Sequence, residues 1–320
     1  MNDDALFLLN PASRGGRGRR VWRVLQGVPE RRRAVSSDPA ELLARAEADA
    51  APRLVAVGGD GTINLALNAA MRRSPRPRLG VLYAGTSPDF CRFHGLPVEP
   101  RAALAVLRRG ASRPIDLCRV EPCGAESQAA GRKSQGENEP ANPQTCEPAN
   151  GGAGDGPAAA WFACAANIGL GPAVAAAANR LRPRLGDALG TFAALLGALR
   201  RARRFDARLA FDDGSRAELR GLLHLAVLKS DAIASGIRLG VPAAPRDGFL
   251  HVVAATRLGA ADLPRIYRGG LPRGAFVRRA RAVAIETDPP LPLEWDGDPA
   301  PLRTPVRVSC ERGALELLLP

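Results

Sequence analysis

The carboxylate of Asp60 is set among three glycines in Gly58-Gly59-Asp60-Gly61-Thr62, directly after the apolar run Arg53–Val57 and directly before a helical pattern. Strand, glycine-rich loop, helix is a geometry for cradling phosphate. The first helical N–H groups have no intrahelical partner and carry partial positive charge, and glycines let a ligand approach the backbone. Asp60 itself repels a phosphate unless a cation lies between them, so the residue set points to a magnesium-nucleotide. Thr62 is placed either to cap the helix or to contact a phosphate. The plain alternative, a hairpin turn through Asp60-Gly61, needs a second strand. Instead Ile63, Ala66, Leu67, Ala70 and Met71 recur at i, i+3, i+4, i+7 and i+8, one face of a helix. Two further loops follow strand-like runs: Asn10-Pro11-Ala12-Ser13-Arg14-Gly15-Gly16 after Ala5–Leu9, and Ala84-Gly85-Thr86-Ser87-Pro88-Asp89-Phe90 after Leu79–Tyr83. Open α/β sheets bind ligands at the C-terminal ends of their strands. All three loops lie there, and together they predict one site.

The elements that must hold these loops alternate. Strands are expected at Ala5–Leu9, Arg53–Val57 and Leu79–Tyr83, with helices at Arg17–Gln26, Pro39–Ala50 (Ser37 or Asp38 as N-cap), Ile63 to about Arg72, and Arg101–Arg109. Such alternation predicts a parallel sheet with helices on both sides. The pattern changes near Pro114. Ile115–Val120 reads as a strand. Glu121–Pro157 then has almost no apolar content and is rich in Gly, Pro, Ser, Asn, Gln and Glu, so it is expected to be a disordered insertion. Trp161–Asn167 reads as a strand and Pro172–Arg204 as mainly helix. Short strands dominate from Ala207 on: Ala207–Phe211, Gly221–Lys229, Phe249–Thr256, Arg281–Glu286, Val306–Cys310 and Ala314–Leu319. Two domains are expected: 1–115, α/β and nucleotide-binding; and 116–320, mostly β, with the insertion 121–157 and a last strand able to return to the first domain. Within Arg180–Phe205 the apolar middle reads as a core helix, and Arg200, Arg201, Arg203 and Arg204 are left open for membrane contact.

Composition narrows the partners. The chain has 320 residues, a formal net charge of +13, and arginine at all but two of its 45 basic positions, Lys133 and Lys229. Such a charge favours an anionic surface or phosphorylated ligand, with an arginine-rich proteome as the plain alternative. Aromatic residues make up 4%, too few for stacking platforms, and no zinc-finger or RNP-like pattern is present, so nucleic acid is not expected. The six cysteines form no CxxC pair and no Cys/His cluster. With the polar start MNDDALFLLNP they read as free thiols of a cytoplasmic protein. No apolar run approaches the roughly 18 residues of a spanning helix, so membrane contact is expected to be peripheral. His94, His224 and His251 show no ligand spacing.

Taken together these motifs resemble the diacylglycerol kinase catalytic family, a lipid-kinase group that includes sphingosine and ceramide kinases and is related more distantly to NAD kinases. The matching segments, in order, are Asn10-Pro11 with Ser13 to Gly16, Gly58–Asn64, Gly85–Phe90, Ile115-Asp116, FACAANIGLGPAV, Asp247–Leu250 and Asp296-Gly297-Asp298. The resemblance implies an α/β nucleotide-binding domain of NAD kinase/diacylglycerol kinase type, a β-sandwich second domain and an active site between them. It implies ATP, Mg²⁺ and a lipid hydroxyl as acceptor. Nucleotide contacts would come from Asn10, Ser36, Gly58 to Thr62, Asn64, Gly85 and Thr86. A metal-linked carboxylate network would use Asp60, Asp89 and Asp116, with a second, structural metal at Asp247 and nearby carbonyls. The proton acceptor would be Asp298, and Asp296 would share the proton or shape the turn. Several positions depart from the family pattern: Pro88 and Lys229 stand where it has asparagine, Leu65 where it has glutamate, and Asp298 where it has the longer glutamate. The substrate partner would be a lipid at an anionic membrane surface, and a homodimer is left open. The alternatives are a degenerate member that binds nucleotide or lipid without turnover, and a kinase of a non-lipid alcohol or of NAD.

Overall fold

The computed structural model describes residues 4–11, 13, 21, 29, 32–123, 159–234, 237–259 and 262–320. The insertion expected over 121–157 and the helix expected over 17–26 fall almost wholly outside these. The first half is a parallel sheet ordered Arg33–Val35, Ala5–Leu9, Arg53–Gly58, Arg78–Tyr83. Its strands are apolar on both faces because helices cover both. On one side Leu6, Leu8, Leu54, Ala56 and Val81 pack on Leu42 and Ala46 of helix Pro39–Ala48 and on Ile63, Leu67 and Ala70 of helix Asp60–Arg72. On the other, Phe7, Val55, Val57 and Leu82 meet Leu104 and Leu107 of helix Pro100–Arg109. Asp38 caps the first of these helices, accepting from Ala40 N–H. Gly110, with φ +68°, closes the last.

The sheet does not end with the α/β half. The 13-residue strand Val306–Leu318 pairs in parallel with Arg78–Tyr83 at Leu317 and Leu79, and antiparallel with Ser112–Pro122 and Ala282–Asp288. Phe205–Phe211 and Arg216–Leu222 extend the same sheet. A bulge between Glu311 and Leu315, with Gly313 at φ +60°, bends the long strand where it passes from one half to the other. A second sheet, all antiparallel, runs Phe276–Ala280, Leu250–Ala255, His224–Leu228, Ala165–Gly169, Pro292–Trp295, Asp298–Arg303. It packs on the first through Ile168, Leu225, Val227 and Val252 against Leu209, Val283, Ile285 and Val308. The second half is therefore a β-sandwich, as expected.

Helices Leu170–Leu185 and Asp187–Arg201 pack on each other at one end of the sandwich. The latter does not behave as the core helix its apolar middle suggests. Small residues (Gly190, Thr191, Ala194, Ala198) form its buried face. Leu189, Phe192 and Leu196 point outward, at 66, 38 and 37% exposure. The middle of the helix is apolar all round, and among the described residues only one side has a partner. Among the described residues no helix is long and apolar enough to cross a membrane. Cys91, Cys118, Cys164 and Cys310 are free thiols, but Cys123 is disulfide-bonded. The expectation of six free thiols fails there, because pairing depends on which segments fold back on one another and not on local spacing.

Candidate active site

Helix Asp60–Arg72 starts three residues earlier than its apolar periodicity indicates. Gly59 is its N-cap, with no side-chain cap, and Asp60 and Gly61 already lie in the first turn. Thr62 is thus inside the helix and buried, not a cap. The open N–H groups of this turn face a cleft of about 790 Å³ between the two halves, large enough for a nucleotide. Asn10, Gly59, Asp60, Gly61, Thr62, Asn64, Gly85, Thr86, Asp89, Asp296 and Asp298 all line it. The three loops therefore converge as their placement predicts, and the late Asp-Gly-Asp segment joins them. Gly58 lies behind the loop. Ser36 does not line the cleft; its hydroxyl donates to Glu41 and accepts from the Asp38 N–H at the start of the neighbouring helix.

None of Gly58, Gly59, Gly61 and Gly85 has a positive φ, so close approach is what excludes a side chain at these positions. A Cβ on Gly59 would lie 3.1 Å from the backbone of Gly85. The loops at Gly58–Thr62 and Ala84–Phe90 touch glycine to glycine. A Cβ on Gly61 would run into the carboxylate of Asp298, and one on Gly58 into the side chain of Thr62. The bare backbone lets two loops and an acidic hairpin crowd around one helix N-terminus.

Asp60 is anchored through Oδ2, which accepts from the Tyr83 hydroxyl at 2.9 Å. Its Oδ1 is sealed from solvent with no hydrogen-bond partner. Burial pushes the carboxyl up to about 7, against the pull of the Tyr83 hydroxyl and with added repulsion from Asp89 and Asp296. A buried, orphaned carboxylate oxygen beside open helix N–H groups fits a phosphate chain with a divalent cation between. Mg²⁺ characteristically takes one or two carboxylates together with phosphate oxygens. Asp89 accepts from Ser87 Oγ at 2.9 Å.

The other two expected metal ligands are elsewhere. Asp116 and Asp247 are both bound to the ammonium of Lys229. Asp116 also accepts from the Gly248 and Gly313 N–H groups. Among the described residues no three carboxylate, histidine or cysteine side chains assemble as a cation cage. The expected network of Asp60, Asp89 and Asp116 thus divides: Asp60 and Asp89 face the cleft, while Asp116 is neutralised inside the second half.

Asp296 and Asp298, one glycine apart, are in different situations. Asp296 and Gly297 form a two-residue hairpin loop, with φ +51° and +94°, joining strands that pair at Trp295 and Asp298. This is the Asp-Gly loop geometry that matches strand twist. The Asp296 carboxylate accepts from the N–H groups of Ala163 (3.0 Å), Cys164 (2.9 Å) and Ala165 (3.1 Å), and from Asn64 Nδ2 (2.9 Å). Burial raises this carboxyl, and those backbone bonds pull it back. Asn64 and Asn68 also donate to the Trp161 carbonyl, and Asn68 accepts from the Trp161 N–H. The polar face of the loop's helix is thereby stitched to the second half. Asn64, implied as a nucleotide contact, spends its amide on this seam. Asp298 has no such anchorage. Its backbone is at the surface but its carboxyl turns into the cleft wall against Gly61, where desolvation and Asp296 raise it.

Two residues of the site escape sequence reasoning. Tyr83, which orients Asp60, ends the strand before the Gly85 loop. It is one of two tyrosines in the chain, which is a weak signal. Glu294 is buried behind the hairpin, accepting from Gly297 N–H (2.6 Å) and Asn167 Nδ2 (2.8 Å), and burial pushes it up to about 7. A single acid between Leu293 and Trp295 in a strand could have marked it.

Residues 4–120 match the family described as "Diacylglycerol kinase catalytic domain", and residues 165–319 match the "YegS C-terminal NAD kinase beta sandwich-like domain". The chain is 28% identical over 295 residues to a "Probable lipid kinase YegS-like" protein of Xanthomonas campestris pv. campestris (strain 8004), covering 88% of this chain and 84% of that one. It is 45% identical over 69 residues to the "Diacylglycerol kinase" of Bacillus subtilis (strain 168), which is 21% of this chain and 22% of that one. In fold it is similar to the crystal structure titled "a putative diacylglycerol kinase from Bacillus anthracis str. Sterne". The TM-score is 0.71 at 18% identity, with 99% of this chain and 98% of that one covered.

Proposed function

The chain belongs to the diacylglycerol kinase catalytic-domain family and is a phosphotransferase of lipid-kinase type, and we propose that it transfers the γ-phosphoryl group of ATP to the hydroxyl of a lipid such as diacylglycerol. The observation that carries the reading is the meeting of Asp60, the open helix N-terminus and Asp298 around one cleft. The N–H groups of the first helical turn bind phosphate oxygens, and the contact of Gly59 with Gly85 holds the two loops that frame them. Asp60, fixed by Tyr83, and Asp89 would hold Mg²⁺. When bound, Mg²⁺ neutralises charge on the phosphates. Asp298 accepts the proton of the attacking hydroxyl at a carboxylate oxygen. Its raised pKa brings it nearer the pH at which a base is useful. Asp296 supplies no proton transfer; its four accepted hydrogen bonds hold the hairpin that carries Asp298.

The lipid arrives at a surface. The outward apolar row Leu189, Phe192, Leu196 ends at the exposed Arg200 and Arg201. That is the pattern of a helix lying in the interface of an anionic bilayer, apolar side chains in the acyl region and guanidinium groups on the phosphates. This supports peripheral contact with an anionic membrane.

The test is incubation of purified protein with radiolabelled ATP, Mg²⁺ and vesicles carrying a panel of lipid alcohols, beside Asp60→Ala and Asp298→Asn. A labelled lipid made by the wild type and by neither variant is expected. ATP binding without a labelled product from any lipid would overturn the kinase reading and leave a nucleotide-binding protein.

A further inference from the structure

Asp247, expected at a second metal, and Asp116, expected in the first network, already enclose a cation. Lys229 follows strand His224–Leu228 and turns its side chain wholly inward, at 0% exposure. Its Nζ lies 2.8 Å from Asp247 Oδ1, 2.9 Å from the Ala244 carbonyl oxygen, and 3.1 Å from both Asp116 Oδ2 and the Phe249 carbonyl oxygen. Two carboxylates with two backbone carbonyls form the donor set that a hard divalent cation takes. An ammonium donates three hydrogen bonds, so four oxygens at this range exceed what a lysine alone needs. The remaining capacity of the carboxylates is filled around it. Asp116 accepts from the Gly248 and Gly313 N–H groups, and Asp247 from the Phe249 N–H, with the Arg279 guanidinium 3.5 Å away. The charges of Lys229 and Arg279 balance the two acids.

We propose that Lys229 is a tethered replacement for a metal ion: its ammonium occupies a cation site formed by Asp116, Asp247, Ala244 and Phe249, so this site binds no divalent metal, and shortening the side chain turns it into one that does. The ammonium cross-links three pieces of chain that are distant in sequence: strand Ser112–Pro122, the end of His224–Leu228, and the turn at 244–249. Asp116 adds the bulge at Gly313. A metal would join the same pieces, but only while the ion is present. Covalent attachment makes the link independent of cation supply and of phosphate ligands that compete for cations.

The experiment is thermal unfolding of the full chain without nucleotide, in chelator and then in millimolar Mg²⁺ or Ca²⁺. Asp60→Asn serves as background so that the cleft contributes no response. The parent is expected to keep its Tm within about 1 °C across these conditions. Adding Lys229→Asn, which leaves space and an extra oxygen, should lower Tm in chelator by roughly 5–10 °C, with most of the loss recovered by divalent ion. Adding Lys229→Met, which supplies neither charge nor oxygen, should lower Tm without recovery. A parent that gains from the ions as much as the Asn variant does overturns the proposal, and so does an Asn variant with no metal response. If neither variant folds, metal analysis of the parent after loading and dialysis decides. No retained ion supports the tethered cation, and one retained per chain refutes it.

Discussion

Asp296 and Asp298 differ in sequence only by which side of Gly297 they stand on, yet their substitutions should give opposite phenotypes. Asp296 sits at φ +51°, a conformation asparagine tolerates as well as aspartate does. Asp296→Asn therefore changes the hydrogen bonding without straining the backbone. Oδ1 accepts from Cys164 and Ala165, and Oδ2 from Ala163 and Asn64. An amide replaces one of these oxygens with a donor that faces donors. Two charge-assisted bonds are lost and two are weakened, at about 1.5–3 kcal/mol for each one lost. Relief of burial and of repulsion towards Asp298 offsets part of that. The net loss is about 2–4 kcal/mol, or a Tm lower by roughly 3–6 °C for a chain of this size. Asp298 makes no comparable bonds, so Asp298→Asn should leave Tm within about 1 °C. Removing a base should lower kcat on the order of 10²–10⁴-fold. Calorimetry and a lipid phosphorylation assay on the same two preparations decide. An Asp298→Asn protein as unstable as Asp296→Asn, or an Asp296→Asn protein that melts like wild type, refutes the division of roles.

Other consequences can be checked independently. The folded-state value of Asp60, about 7, lies above its ordinary 3.8. Between those values the folded chain holds a proton that the unfolded chain releases, so this group's contribution to stability falls as pH rises. Mg²⁺-nucleotide, which needs the ionised carboxylate, should therefore raise Tm more at pH 8 than at pH 5.5, and Asp60→Asn should flatten that difference in a pH series of melts. Gly59→Ala forces its Cβ against the Gly85 backbone. Calorimetric titration should show nucleotide affinity down on the order of tenfold, with about 1–3 kcal/mol of overpacking cost; unchanged affinity would mean the loops need not touch. Leu189→Ser with Phe192→Ser removes two outward side chains. Sedimentation with anionic vesicles should show lost association while Tm stays within about 1–2 °C, and a large fall in Tm would mean the face is buried against protein.

What could be read from the sequence was local. Strands Ala5–Leu9, Arg53–Gly58 and Arg78–Tyr83, helices Pro39–Ala48 and Pro100–Arg109, the Asp38 cap and the convergence of three loops follow from periodicity and from turn residues next to each other in the chain; the three-residue strand Arg33–Val35 and the one-turn helix Asp89–Phe93 are too short to show a period. The Asp-Gly pair at 296–297 was legible as a turn, and the structure shows that a turn and a cleft wall are the same object here. The start of helix Asp60–Arg72 was misread because two of its first residues, Asp60 and Gly61, are turn formers by propensity; tertiary crowding against Gly85 and Asp298 overrides that preference. The outward apolar row was misread because periodicity does not reveal which face of an all-apolar helix has a partner. Lys229 could be seen only as a departure. Its meaning depends on partners 113, 18, 20 and 15 positions away in sequence, and no spacing rule links them. The role of Asn64 was hidden for the same reason, since Asp296 lies 232 positions off.

The strand Val306–Leu318 lies between Arg78–Tyr83 and the strands of the β half, and it contributes Leu317 to one core and Val306 and Val308 to another. Neither core can close until this segment is in place. A ribosome therefore cannot release a finished nucleotide half while the rest is still being made. Both halves must wait for the same thirteen residues, and they should fold in a single late step with high contact order. Severing the chain at the apparent boundary near residue 115 would leave two fragments with open sheet edges. Complementation should then require that the C-terminal fragment donate its last strand to the N-terminal one.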